Sequence, residues 1–137
     1  LATRLARHQA SAMRVATWLR SRPEVREVLY PALPGARGHE LWKRDFRLAT
    51  GLFTIVLHPG PTRERFAAML DRMRLFRMGW SWGGFESLII PTDPDKLRTA
   101  SLFDAGGPCL RLHIGLEDPD DLIADLDDGF QRLNGHP

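Results

Sequence analysis

Arg111 is the residue of this 137-residue chain whose type and position most clearly indicate binding chemistry. It lies in CLRLHIGL, residues 109–116, where apolar residues alternate with others as they do along a half-buried strand. That alternation predicts Cys109, Arg111 and His113 on one face. A half-buried guanidinium needs an anion, because an unpaired buried charge is costly. The anion can be a carboxylate of the same domain, which is the commoner case for such spacing, or the carboxylate of a bound substrate.

A second candidate is the segment MGWSWGGFESLII, residues 78–90. Trp80 and Trp82 share one parity, so on a strand both rings would point the same way. Gly83 and Gly84 follow, and two adjacent glycines indicate a turn, a bulge or something pressed close to the backbone. The pattern predicts an aromatic corner shaped by glycine.

Other chemistries are not favoured by the sequence. An acidic run begins a predicted helix, as capping and the helix dipole favour, and no histidine or cysteine pair follows it, so no metal site is predicted. Ser81 and His113 lack the G-x-S-x-G pattern of a hydrolase, and Cys109 at a strand start is typical of packing. No phosphate-binding glycine motif is present. The acidic run comprises Glu117, Asp118, Asp120 and Asp121.

Composition is typical of a globular domain, with 43% hydrophobic and 26% charged residues. The net charge is +2. Almost all of the positively charged residues are arginines, which are scattered along the chain, and lysine occurs only at Lys43 and Lys96. A basic block for nucleic acid and an apolar run for a membrane are both lacking, so neither partner is predicted. The single Cys109 suits a reducing compartment, and we expect a cytoplasmic protein.

Periodicity and turn residues predict an α/β (α+β) two-layer sandwich, a mostly antiparallel sheet covered by helices. The first helix should bury Leu1, Leu5, Ala12, Val15, Ala16 and Leu19, and the last, capped by Asp118, should bury Leu122, Ile123, Leu126, Phe130 and Leu133. Helices are predicted over 1–21, 39–46, 62–73 with Thr62 as cap, one turn near Lys96, and 118–133. Strands are predicted over 25–30, 51–58, 75–79, 85–90 and 109–116.

Four motifs, in this order, carry a resemblance: PALPGARGHELWKRDF, GLFTIVL, SWGGFESLI and LRLHIGLEDPDDLIADLDDGF. Together they resemble the C-terminal domain of the Cys/Met-metabolism PLP-dependent enzymes, whose small domain has this two-layer fold. Within this family, Trp82 in SWGG makes the chain most similar to the cystathionine β-lyase branch, since the γ-synthase and γ-lyase branches usually carry leucine at that position. Trp80 departs from the pattern, because the lyases carry tyrosine at that position.

The resemblance implies a set of binding residues. Arg111 would grip the substrate α-carboxylate in a bidentate fork, helped by the main chain of Ser81, while Trp82 walls the pocket. Three further residues would line the pocket: Trp80, Gly83 and Gly84. The cofactor, pyridoxal 5′-phosphate, belongs to a preceding large domain, as do the family's catalytic groups. Neither lysine of this chain matches the family's Schiff-base motif, so we expect no catalytic residue here and no activity from the chain alone.

The implied reaction is α,β-elimination of cystathionine to homocysteine, pyruvate and ammonia, a step of methionine biosynthesis. The chain begins with LATRLARHQA, which has no initial methionine and already shows the spacing of an amphipathic helix. We therefore expect residues 1–137 to be an excised C-terminal domain. Its partners would be its own large domain and sister subunits of a homo-oligomer, besides the small amino-acid substrate. Two alternatives stay open: a γ-synthase, γ-lyase or cystine lyase of the same family, or a stand-alone carboxylate-binding or regulatory module.

Overall fold

The computed structural model describes residues 1–80, 83–101 and 103–136. The described part is an α+β structure with one four-stranded antiparallel sheet. Among the described residues, no helix is both long enough and apolar enough to cross a bilayer. In chain order the elements are α1 (Ala2–Arg20), β1 (Val25–Leu29), α2 (His39–Asp45), β2 (Leu52–Leu57), α3 (Arg63–Leu70), β3 (Leu88–Thr92), α4 (Pro94–Leu97), β4 (Cys109–His113) and α5 (Pro119–Leu133).

Strand β4 is flanked on both sides, because the sheet order is β1-β2-β4-β3. In its middle, Arg111 pairs with Thr54 of β2 and with Ile90 of β3. The backbone of Arg111 is therefore fixed by two neighbouring strands rather than one. Its side chain projects from an interior strand, a rigid base for a binding group.

One face of the sheet packs on the helices in a single hydrophobic cluster. Leu110, Leu112 and Ile114 are fully buried in it, as alternation along β4 requires. The predicted faces of α1 and α5 are largely confirmed; among the α5 residues Ile123 is only partly buried. Leu1 was predicted to be buried and is 87% exposed; it precedes α1 as the N-cap residue, and the buried residues of that helix begin only at His8.

The strand predicted over 75–79 is wrong, since this segment forms only one isolated bridge, between Arg77 and Leu88. The buried Asp125 explains the difference. Its carboxylate accepts hydrogen bonds from the backbone N–H groups of Arg74, Leu75 and Phe76, at 2.8 to 3.2 Å. Those donors are consequently not available to a strand ladder.

The strand predicted over 85–90 is shifted, and β3 runs instead over Leu88–Thr92. At its beginning, the N–H of Ser87 is taken by the carboxylate of Glu117, at 2.7 Å. At its end the strand includes Pro91, which a sheet tolerates here because β3 is an edge strand.

The predicted helix caps are confirmed. Asp118 accepts the N–H of Asp120 at 2.8 Å and Thr62 accepts that of Arg65 at 3.4 Å. Each satisfies one of the four backbone donors left unpaired at a helix start. The helical turn expected near Lys96 is also present, as α4.

Candidate functional site

Arg111 projects half-buried from the sheet face opposite the main hydrophobic cluster. Its guanidinium carbon lies 5.4 Å from the centroid of the Trp80 ring, a cation–π contact. Among the described residues, no carboxylate forms an ion pair with Arg111. The structural ion pair that the spacing allowed is thus not formed within the described part of the chain.

The corner after Trp80 begins with two residues, Ser81 and Trp82, that lie outside the described residues. Their predicted roles in holding and walling the substrate remain predictions. Trp80 itself is 71% exposed. Its ring contacts Arg111, and most of its surface is not covered by other described residues. The predicted pocket residues that the structure does bring together are Arg111 and Trp80.

Gly83 and Gly84 lie against His113, the neighbour of Arg111 on the same face of β4. Gly83 has a φ of +80°, and a Cβ added there would overlap the imidazole ring of His113. The Nε2–H of His113 donates to the carbonyl of Gly84 at 3.2 Å. Glycine at 83 is therefore required twice, by the left-handed backbone and by the ring beneath it.

A clamp that sequence reasoning missed fixes the far side of the corner. Besides the N–H of Ser87, Glu117 accepts the hydroxyl of Ser87 at 2.8 Å, and that hydroxyl oxygen accepts the N–H of Gly115, also at 2.8 Å. The segment that follows the corner is thereby tied to the end of β4. The sequence does not indicate this role, because Glu117 belongs to the acidic run and is not distinguished there from the other charges at a helix start.

Within the described part of the chain, Arg111 is partly exposed to solvent. A cavity of about 450 Å³ does lie near the other end of β4, beside Cys109, but Arg111 is not among its lining residues. A guanidinium on an open sheet face can fix one end of a ligand, yet it cannot exclude water from a reaction. The arrangement suits one wall of a larger site.

Comparison with known proteins shows which family the chain belongs to. The family model for Cys/Met metabolism PLP-dependent enzymes matches residues 1–131. The chain belongs to this family. It is 50% identical over 136 residues to the cystathionine beta-lyase of Escherichia coli strain K12, covering 97% of this chain and 34% of that protein. The chain thus spans about a third of the length of the curated relatives it matches.

Two further similarities show how widely the family's reactions differ. The chain is 46% identical over 134 residues to an L-alanine/L-glutamate racemase of Wolbachia pipientis wMel, covering 97% of this chain and 33% of that protein. It also resembles the crystal structure of cystathionine gamma synthase from Xanthomonas oryzae in complex with cystathionine. There the TM-score is 0.80 at 31% identity, and the match covers 98% of this chain and 36% of that one.

The two lysines of this family member do not suit covalent binding of pyridoxal phosphate. Lys96 pairs with Asp93 at 2.7 Å and its side chain is 83% exposed. The hydrogen bond to Asp93 raises the pKa of Lys96, whereas an amine that attacks a carbonyl at neutral pH needs a lowered pKa. Lys43 is exposed on the short helix α2. Neither described lysine therefore shows the burial that would lower the pKa of such an amine.

Replacing Gly83 by alanine should disturb the corner, whereas the same change at Gly79 should not. A left-handed conformation costs a non-glycine residue about 1–2 kcal/mol, and the new methyl also displaces the His113 ring. For Gly83→Ala in the full-length enzyme we expect kcat/KM to fall about 5- to 30-fold. Gly79→Ala is the matched control: its φ is not positive, and among the described residues an added Cβ would meet only the side chain of Leu88, at an ordinary contact distance of 3.7 Å. Equal losses from both variants would contradict this.

His113 should make the stability of the chain depend on pH. Burial, chiefly, and the nearby His8 ring lower the pKa of His113 from its ordinary 6.5, while the Gly84 carbonyl and Glu117 oppose that shift. The unfolded chain therefore takes up this proton first. The contribution of His113 to the free energy of unfolding is fully present above pH 6.5, and it is lost as the pH falls from there towards the lowered folded-state pKa. Urea unfolding at several pH values should show a smaller acid loss for His113→Gln than for the wild type. An identical loss would contradict the assignment.

Proposed function

We propose that this chain is the small C-terminal domain, residues 1–137, of a PLP-dependent cystathionine β-lyase, and that it holds the substrate's α-carboxylate through Arg111. The observation that carries the proposal is the half-buried guanidinium on an interior strand without a carboxylate partner among the described residues. A planar fork of N–H donors matches the two oxygens of a carboxylate. The similarity to cystathionine beta-lyases over nearly the whole chain supports the choice of substrate.

The contribution of this domain would be orientation. When bound, pyridoxal phosphate supplies the electron sink that makes the α-proton of an amino acid acidic. Arg111, with the main chain of Ser81, would fix the α-carboxylate so that the α-C–H bond keeps one direction, an effect of positioning rather than of bond chemistry. Trp82 and Trp80 would wall the side chain of the substrate. Elimination of its β-thiolate then gives homocysteine, pyruvate and ammonia, in the cytoplasm and within methionine biosynthesis.

We further propose that the large domain and sister subunits of a homo-oligomer cover the open sheet face. Three large apolar side chains near the corner support this: Met78, Trp80 and Phe85 are 54%, 71% and 67% exposed. Another group lies in and after α2, where Leu41, Phe46 and Leu48 are 58%, 62% and 48% exposed. Exposed apolar groups of this size are typical of surfaces that a partner covers. The chain itself would then be the two-layer sandwich of the family's small domain, with its catalytic lysine elsewhere.

Product analysis on the full-length enzyme tests the reaction. With L-cystathionine, β-elimination releases pyruvate and homocysteine, and we expect these. Release of 2-oxobutyrate and cysteine instead would favour γ-cleavage, the reaction of the γ-lyase alternative within the same family. Conversion of L-alanine to its D-enantiomer, without pyruvate, would favour the reaction named for the Wolbachia relative. Either result would contradict the proposed β-lyase.

A carboxylate-binding or regulatory module that stands alone is the alternative from another class. It shares the Arg111 fork but needs no second domain. The reading frame upstream of residue 1 separates the two proposals. We expect it to continue into a lysine-bearing PLP domain, and a stop codon directly upstream would favour the module.

A further inference from the structure

Two side chains on the same face of β4, those of Arg111 and His113, contact the two ends of the corner, which are Trp80 and Gly84. Arg111 lies against the Trp80 ring at 5.4 Å, and His113 donates to the Gly84 carbonyl at 3.2 Å. Gly83 and Gly84 themselves belong to no helix or strand. Side-chain contacts therefore help to set the conformation of this corner, and His113 supplies a hydrogen bond to Gly84 and a ring that lies against Gly83.

The type of residue at position 113 is costly for this location. His113 is 6% exposed, and it pairs across the sheet with the apolar Leu52 and Leu88. Its Nδ1 is buried and has no hydrogen-bond partner in the described part of the chain. A buried polar atom left unpaired destabilises a fold, and an apolar side chain of similar size would avoid that cost. Packing alone does not account for a histidine here.

The tautomer follows from the partners. A carbonyl oxygen only accepts, so the bond to Gly84 requires the proton on Nε2. The neighbouring His8, whose ring centroid is 5.2 Å away, likewise bonds the Ile114 carbonyl through its Nδ1, at 2.8 Å. His113 thus directs its Nε2–H donor at the corner.

We propose that His113 is a positioning residue for carboxylate binding, which holds Gly83 and Gly84 in place beside Arg111 without touching the substrate. The inference rests on the proposed function. The imidazole ring lies against Gly83 and the Nε2–H bonds the carbonyl of Gly84, so one side chain contacts this backbone at both glycines. A shift at either glycine would displace the main chain that precedes it, where the carboxylate is expected.

Two variants of the full-length enzyme separate the ring from its donor. His113→Leu fills the space without a donor, and His113→Gln restores an N–H near the position of Nε2. For each we would measure dissociation constants for L-methionine and for the amine formed by decarboxylating it. We expect His113→Leu to weaken L-methionine binding about 3- to 10-fold, the value of one hydrogen bond, and to leave amine binding unchanged. His113→Gln should recover most of the preference for the carboxylate. His39→Leu is the matched control, because His39 also bonds a carbonyl, that of Pro31, far along the chain from the corner.

Hydrogen exchange gives a readout that does not depend on any ligand. Amides of residues 83–86 should exchange faster in His113→Leu than in the wild type, and near the wild-type rate in His113→Gln. A His113→Leu enzyme that keeps its preference for L-methionine, or one whose corner exchanges at the wild-type rate, would overturn the role of His113 alone. A wild-type enzyme that does not prefer L-methionine to the amine would instead contradict the proposed function, and this inference with it.

Discussion

Replacing Arg111 by alanine in the full-length enzyme is expected to lower kcat/KM for cystathionine by roughly 30- to several-thousand-fold. Truncating one partner of a directed charge pair in a partly dry site costs about 2–5 kcal/mol, and each 1.4 kcal/mol is about tenfold. The loss should affect turnover as well as affinity, because a substrate without its carboxylate anchor also loses the alignment of its α-C–H bond. Steady-state kinetics with L-cystathionine would measure both.

Controls for this prediction distinguish the loss of the two parallel N–H bonds from the loss of the positive charge and from misfolding. Arg111→Lys keeps the charge but cannot copy two parallel N–H bonds, so it should recover only part of the activity. Cofactor content, checked by absorbance, should be unchanged in both variants, since in the proposed function the large domain holds the cofactor. Arg72→Ala, at an exposed arginine, should behave as the wild type. If both Arg111 variants keep near-normal kcat/KM, Arg111 does not bind the substrate.

Replacing Asp125 by alanine should destabilise the chain by about 3–5 kcal/mol, as is typical when one partner of a buried charged network is removed. Asp125 is 1% exposed, and its carboxylate binds three consecutive backbone N–H groups, those of Arg74, Leu75 and Phe76. Without it these donors face a cavity. The free energy of unfolding, from urea titration followed by circular dichroism, measures the loss.

Asp128 offers the matched control for Asp125. It lies on the same helix and pairs with the same residue, Arg74, at 2.8 Å, but its side chain is 45% exposed. An exposed pair of this kind contributes at most about 1 kcal/mol, so Asp128→Ala should change stability little. Asp125→Asn should fall between the two alanine variants, because an amide keeps one acceptor oxygen. Similar losses from Asp125→Ala and Asp128→Ala would show that the buried network does not hold the segment.

Local signals in the sequence predict the regular elements well. The cap at Asp118, the periodic apolar residues of α5 and the alternation around Arg111 each depend on neighbours a few residues away, and all three are present. The errors arise where a distant side chain takes the backbone donors of a segment. Asp125, about 50 residues along the chain, does so at 74–76, and Glu117, 30 residues away, does so at Ser87.

The candidate site divides in the same way. Residue types and strand parity predict Arg111 and its face, and the paired glycines predict a close approach of something to the backbone. What approaches Gly83 could not be predicted, because contact with the ring of His113 depends on how the corner folds back over β4. The partner of Arg111 could not be predicted either, since no local pattern distinguishes a carboxylate of the chain from one of a ligand.

A crystal structure of the full-length enzyme with a bound amino acid tests the central claim most directly. We expect both oxygens of the α-carboxylate to accept N–H bonds from the guanidinium of Arg111, at about 2.7–2.9 Å. Trp80 should remain against the guanidinium face, and Gly84 should remain bonded to His113. A structure in which the amino acid's carboxylate is bound by other residues, with no contact to Arg111, would contradict the account.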